Sequence, residues 1–252
     1  MSNLFWLTDA QMARLEPFFP KSHGRPRVDD RRVLSGIIFI NRNGLRWCDA
    51  PREYGPSKTL YNRWKRWSRM GVFTRIMTGL AAEAADEKTI MIDATYLKAH
   101  RTASSLRGKK GGRGRLIGRT KGGMNTKLHA VADAQGRPIR MFVTAGPVSD
   151  YTGAAAMLSS LPRAEWMLAD RGYDADWFRD ALKNKGIKAC IPGRKGRKKA
   201  IRHDKRRYKR RNRIEIMFGR LKDWRRIATR YDRCPIVFLS AIALAATVLF
   251  WL

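Results

Sequence analysis

The chain has 252 residues, 44% of them hydrophobic, enough to bury a core as one large domain or one domain with a small appendage, which excludes a disordered polycation. Its 53 Lys and Arg against 21 Asp and Glu give a formal net charge of +32, far beyond what solubility asks and pointing to a polyanionic partner, nucleic acid first. Cys48, Cys190 and Cys234 form no C-x-x-C pair, the histidines are scattered and no charged segment followed by an apolar run opens the chain, so neither a disulfide framework, a zinc site nor secretion is supported; a reducing, cytoplasmic and nucleoid-associated setting is expected.

Residues 1 to about 85 read as helical. Thr8 with Gln11 forms a capping-box pattern before an apolar run, and Asp30 opens a second helix through Val33, Ile37, Ile38 and Ile40 that Gly44 can stop. Lys21 to Arg27, between them, reads as a loop. Ser57 is an N-cap candidate for a third helix, in which Leu60, Trp64 and Trp67 recur at helical spacing while Lys58, Asn62, Arg63 and Arg66 share the other side. Such a helix can enter a major groove, or can be a surface helix pinned by two tryptophans; no clear short turn precedes it, so the helix-turn-helix signal is weak.

From residue 89 the pattern changes to strands. Thr89 to Thr95 carries Ile-Met-Ile ahead of Asp93, Thr126 to Ala132 alternates, and Ile139 to Thr144 follows the turn Gln135-Gly-Arg-Pro138, which predicts a hairpin. A helix near Thr152 to Leu161, a strand Trp166 to Ala169 ending at Asp170, a helix from Asp174 to Lys185 with Asp174 as its cap, and a strand Lys188 to Ile191 follow. Three strands followed by alternating helix and strand predict a mixed sheet with helices on both faces, an RNase H-like α/β fold after an N-terminal helical, helix-turn-helix-like domain over residues 1–85. The second domain then runs over 86–252.

The charge is clustered. Arg107 to Lys121 holds seven basic residues and no acidic one, and Arg194 to Arg213 holds thirteen against Asp204 alone, a density that suits phosphate contact; Lys109 and Lys110 belong to the first stretch. Its glycines match neither the phosphate-loop nor the dinucleotide pattern, so 107–121 reads as a basic loop. Ile236 to Leu252, apolar except for Ser240 and Thr247, falls just short of the roughly 20 residues of a membrane span. A buried terminal helix, its alanines packed on a sheet, is expected in preference to a tail anchor, and no membrane partner.

Metal-dependent cleavage of a phosphodiester calls for a few carboxylates that hold two divalent ions about 3.5–4 Å apart. Asp93 and Asp170 each end an apolar strand, where sites open at strand carboxyl ends, although an aspartate there is also a common turn former or cap. The segment 208–222 is more specific: Tyr208, Arg211, Glu215 and Lys222 are spaced Y-x-x-R-x-x-x-E-x-x-x-x-x-x-K. On one uniform α-helix Tyr208, Glu215 and Lys222 fall on one face with Arg211 a turn before the glutamate, and a solvated Arg-Glu pair explains only two of the four.

This segment resembles the signature of DDE transposases of the insertion sequence 4 and 5 superfamily at all four of its defining positions. Gly24-Arg-Pro-Arg, Asp30-Arg-Arg, Asn43-Gly-Leu-Arg-Trp47, Asp93-Ala-Thr, Gly122-Gly-Met-Asn-Thr-Lys-Leu-His129 and Leu168-Ala-Asp-Arg-Gly-Tyr173 look like the insertion sequence 5 family and spread the resemblance over nearly the whole chain. The resemblance implies a DNA transposase whose Asp93, Asp170 and Glu215 hold Mg²⁺ (two ions, with Mn²⁺ able to substitute). It further implies that Lys222 and Tyr208 contact the transposon end, that Arg211 supports the site or holds phosphate, and that residues 1–85 bind terminal repeats. Double-stranded DNA, as terminal repeat and as target, is the implied partner, with at least a homodimer on it. A catalytically silent DNA-binding regulator and an RNase H-type nuclease that never joins strands remain as alternatives.

Overall fold

The computed structural model describes residues 4–21, 29–86, 88–105 and 112–252. Lys109, Lys110 and the Gly24-Arg-Pro-Arg stretch lie outside these residues. Helix α1 (Asp9–Leu15) starts with both bonds of the Thr8–Gln11 capping box, and α2 (Asp30–Asn43) is capped by Asp29, whose Oδ1 accepts from Arg31 N–H at 2.8 Å. Gly44, at φ +73, ends α2 in the left-handed conformation that glycine takes without a Cβ penalty.

Helix α3 (Ser57–Arg69) begins differently from expectation. Pro56, in extended conformation, is its N-cap, and no side chain caps it: the Pro56 carbonyl accepts from Thr59 and Leu60 N–H, while Ser57 is already inside the helix. Leu60, Trp64 and Trp67 are buried as their spacing requires, and the indole of Trp67 meets Phe19 edge-on at 4.6 Å. Truncating either tryptophan costs about 3–5 kcal/mol. Helix α4 (Val72–Ala84) follows after one turn through Gly71.

A seven-stranded mixed sheet comes next: β1 (Thr89–Ala99), β2 (Gly118–Thr120), β3 (Gly123–Ala132), β4 (Pro138–Ala145), β5 (Trp166–Leu168), β6 (Lys188–Cys190) and β7 (Thr229–Arg230). The predicted hairpin is β3–β4; β3 also pairs antiparallel with β1 and β2. On the other side of β1 the neighbours are parallel, β5 along Thr89–Met91 and β7 along Lys98–Ala99. The helices between and after the strands are α5 (Arg101–Ser104), α6 (Asp150–Leu158), α7 (Asp176–Asn184), α8 (Lys205–Tyr208), α9 (Asn212–Lys222), α10 (Arg225–Ala228) and α11 (Pro235–Phe250). Strand alternation separates two faces. His129, which pairs with Ala94, lies against Gly153 of α6, whereas Asp93 and Thr95 face α9.

Helix α11 runs 16 residues, about 24 Å at 1.5 Å per residue, and is buried among α4, β4 and α9; no helix of the described residues is long and apolar enough to cross a membrane. Its Ser240 and Thr247 hydroxyls donate to the carbonyls of Ile236 and Ala243, which satisfies them inside the helix. Through α11 the core of the first 85 residues is continuous with that of the sheet.

Candidate active site

Strand β1 outruns β5. Pairing with β5 stops at Met91 and pairing with β7 resumes at Lys98, so residues 92–97 border a break in the sheet. Met91 lies opposite Leu168, the last residue of β5; Asp170 follows two residues later, near enough for its charge to act on Asp93, which lies inside β1 and not at a strand end as its sequence suggested. The crevice opens at the carboxyl end of β5, and helix α9 covers it.

Asp93 is 16% exposed, and its Oδ1 accepts from Ala94 N–H at 2.8 Å. Burial pushes its carboxyl up, the Arg211 guanidinium and the Ala94 bond pull it down, and the Asp170 charge pushes it up again, for a pKa of about 6. Asp170 also serves locally as the N-cap of a 3-10 turn, Arg171–Tyr173, its Oδ1 accepting from Gly172 N–H at 2.8 Å. A Cβ on Gly172 would lie 2.8 Å from that same oxygen, so only glycine leaves the carboxylate in place.

Arg211 bridges two of the predicted carboxylates. Its Nη1 donates to Asp93 Oδ2 at 2.8 Å and its Nη2 donates to Glu215 Oε1, so one guanidinium draws the half-exposed glutamate to the strand. Lys222, a further two turns along α9, donates to Thr95 Oγ1 at 2.8 Å, two residues beyond Asp93; burial lowers its pKa. Tyr208 departs from the predicted alignment. A 3-10 turn, Lys209–Arg211, separates α8 from α9, and three residues at 3.0 per turn rotate Tyr208 by roughly 60° from where a uniform α-helix would put it. It sits half-buried instead, with the Arg211 guanidinium 5.9 Å from its ring centre.

Asp174 is not the cap of α7; Ala175 holds that position. Asp174 is fully buried and accepts from Arg179, from Arg197 and from the Arg194 N–H, at 2.8, 2.6 and 2.8 Å. Burial acts to raise its carboxyl, but these bonds outweigh it and hold the pKa at about 2. One carboxylate thus pins the start of the basic stretch 194–213 to the fold.

On α3, Lys58, Asn62 and Arg66 are exposed. Arg63 turns inward, its Nη1 donating to Asp30 Oδ1 at 2.7 Å and its guanidinium lying 5.5 Å from the Trp67 ring centre. Two further buried polar residues were given no role by the sequence reading, although Tyr173 closes the Leu168–Tyr173 stretch of the family resemblance. Tyr173 is 1% exposed, its hydroxyl has no partner among the described residues, and burial together with the charges of Asp150, Asp93 and Asp170 raises its pKa. Arg230, wholly buried, donates to the Thr126 hydroxyl and to four carbonyls around it, which secures β7 beside β1; burial lowers its pKa to about 10. Tyr173 was within reach through that stretch, whereas a single arginine such as Arg230 carries no spacing signal that would have found it.

Residues 7–77 match the family described as "Putative transposase of IS4/5 family", and residues 84–251 match "Transposase DDE domain". A "Putative transposase for insertion sequence element IS6501" of Brucella ovis is 38% identical over 130 residues, 51% of this chain and 99% of that one. An "Uncharacterized protein y4sN" of Sinorhizobium fredii is 37% identical over 110 residues, 42% of this chain and 87% of that one. Among solved structures, the piggyBac transposase of a synaptic complex with hairpin DNA superimposes with a TM-score of 0.56 at 8% identity, over 94% of this chain and 68% of that one, which shows a shared RNase H-like fold. With two thirds of its length matched by the catalytic-domain family and its first helices by the insertion-sequence family, the chain belongs to the DDE transposases of the insertion sequence 4/5 family.

Proposed function

We propose that this transposase binds the terminal inverted repeats of a bacterial insertion sequence, cleaves the ends by metal-dependent hydrolysis and joins the freed 3′-hydroxyls to target DNA. The observation that supports the reading is the Arg211 guanidinium tying Glu215 to Asp93 beside the break in the sheet, where the charge of Asp170 also acts on Asp93. Asp93, Asp170 and Glu215 are the carboxylates we assign to catalysis.

The donor chemistry fits a hard divalent cation: three carboxylates, one of them held at about pKa 6 by burial and a neighbouring negative charge, make a crevice short of positive charge. Arg211 supplies part of that charge across Asp93 and Glu215. Among the described residues no group of three or more His, Cys, Asp or Glu side chains is set to hold an ion, and Arg211 occupies oxygens of Asp93 and Glu215; on this reading those oxygens would be freed from it where Mg²⁺, or Mn²⁺ in its place, would be held. Bound there, two such ions supply the Lewis-acid charge and the activated oxygen nucleophile that cleavage and joining share.

The chain's own groups do the rest. Asp93 orients from within β1 and Asp170 from just past the end of β5, Glu215 approaches from α9, and Arg211, once released, is placed to meet a phosphate. Lys222 and Tyr208 face the transposon end, the region 1–85 contacts the repeats through α3, and the 107–121 and 194–213 stretches screen the repulsion between two duplexes, Lys109 and Lys110 on phosphate alone. Cutting two ends together calls for at least a homodimer.

The experiment supplies a pre-cut end with a 3′-hydroxyl, a supercoiled target and Mg²⁺, and looks for covalently joined product. Nicking without joined product at every salt concentration favours a plain nuclease. Full cleavage by Glu215→Gln removes Glu215 from the site.

A further inference from the structure

A cleft of about 420 Å³ opens between α3 and the Tyr231–Cys234 segment that follows β7, away from the carboxylates. Its walls are aromatic: Tyr61, 39% exposed, lies 5.6 Å from Trp47, and Tyr231, 41% exposed, lies 4.7 Å from His100. Lys65, Arg69 and Arg233 ring it with positive charge. Asp232 contributes a carboxylate among these cations, and its Oδ2 is enclosed without a hydrogen-bond partner among the described residues; the Arg226 guanidinium stands 3.9 Å from the other oxygen.

We propose that this cleft binds one unpaired nucleotide of DNA, its base against Tyr61 and Tyr231, its donor edge on Asp232 and its phosphates on Lys65, Arg69 and Arg233. Tyr61, whose ring already has the Lys65 ammonium 5.3 Å from its centre, and Tyr231 are each partly open to solvent; such rings gain from base faces, and a base offers its faces only when it leaves the stack. A carboxylate only accepts, so the base has to donate: guanine turns N1–H and N2–H₂ towards it, while thymine offers one N–H between two repelling carbonyls. Strand β7, which leads into the Tyr231–Cys234 wall of the cleft, joins it to the strand that carries Asp93. Strand β7 pairs with β1 at Lys98, five residues past Asp93, about 17 Å along the strand and about five stacked nucleotides from a phosphate held there.

The proposal rests on the reading of this chain as an enzyme of DNA, and the test separates the two. Hairpin DNAs that differ only in one bulged guanine, one bulged thymine, one abasic bulge or none are titrated against the full chain by fluorescence anisotropy. The guanine bulge is expected to bind about tenfold or more tighter than the paired hairpin and the other bulges not. Tyr61→Ala and Tyr231→Ala, both at exposed positions, are expected to erase that preference while affinity for the paired hairpin persists, and Asp232→Asn to bring guanine and thymine together. In a Cys48→Ser background the guanine bulge is expected to slow alkylation of Cys234, at the cleft, more than the paired hairpin does. Equal affinity for all bulges, or a preference untouched in both tyrosine variants, overturns the proposal and leaves the transposase reading standing. Failure to bind any hairpin overturns both.

Discussion

Helices α3 and α9 are alike in pattern and unlike in use. Each sets apolar residues on one side and cations on the other. On α3 the polar side meets solvent at Lys58, Asn62 and Arg66, and the one cation that turns inward, Arg63, is taken up by Asp30 and Trp67 of the same helical region. On α9 and the turn before it, the polar residues reach across to the sheet, Arg211 to Asp93 and Lys222 to Thr95. The difference lies in what each helix covers: α9 lies over the stretch of β1 left without a parallel partner, where the Asp93 carboxylate is largely held away from water. Whether a charged helix meets the carboxylates of the sheet is decided by its position and not by its composition alone.

The largest effect that can break this comparison is on cleavage. Asp93→Asn and Asp170→Asn are expected to slow Mg²⁺-dependent cleavage of a labelled transposon end by about a thousandfold or more, with end binding nearly intact, since the charge that holds the metal goes and the basic surface stays. Asn62→Ala and Arg66→Ala, once bound at saturating end, are expected to cleave at nearly the native rate. If the helix α3 variants lose cleavage at saturation as the carboxylate variants do, the division between the two helices is wrong.

The next effect is on stability and its pH dependence. The Asp93 pKa is raised from 3.8 to about 6 in the folded, metal-free chain. Below about pH 4 the carboxyl is neutral in both folded and unfolded states; as pH rises from about 4 to 6 the unfolded chain gives up its proton first, so stability falls, by on the order of 3 kcal/mol once pH exceeds 6. Asp93→Asn is therefore expected to melt above the native protein at pH 7 in EDTA, and the gap to close by pH 4. His129, lowered to about 4 by burial and by Lys127, tilts stability the other way but is common to both proteins and cancels. A gap in melting temperature that does not change with pH would remove the burial penalty assigned to Asp93.

Smaller effects sharpen the α3 side. Asn62→Ala and Arg66→Ala are expected to cut the preference for terminal repeat over random duplex by about 1–3 kcal/mol for each base read, measured by competition binding. An equal loss on both duplexes would end base reading by α3. Arg63→Ala, which takes away a partly buried ion pair and a ring contact, is expected to lower stability by about 1 kcal/mol with the repeat preference retained. Smallest of all, Lys58→Ala is expected to weaken every duplex alike and lower the salt slope of binding by about one.

Much of this was legible in the chain. Hydrophobic periodicity located α2, α3 and α11, the alternation of 126–132 with a Gly-Arg-Pro turn located the β3–β4 hairpin, and the four residues of the 208–222 spacing pointed at Arg211, Glu215 and Lys222, because period and turn chemistry are local. The misses are equally instructive. Ser57 and Asp174 both have side chains that cap helices well, yet a proline carbonyl starts α3, and Asp174 is drawn into the interior by Arg179, Arg197 and Arg194. A cap is a local option, and three donors, two of them from the segment some twenty residues on, outcompete it.

By itself, then, the sequence determined the family, the mixed α/β class and the cationic character, and it singled out the three carboxylates we propose for catalysis, all from residue type at short spacing. Only the tertiary structure decided that β1 overruns β5 and leaves a break beside Asp93, that Arg211 lies between Asp93 and Glu215, 118 residues from the former, that a 3-10 turn swings Tyr208 out of line, and that Arg63 faces inward. Those facts depend on strand register and on which helix face meets the sheet, and contacts between segments far apart in the chain leave no periodic trace along it.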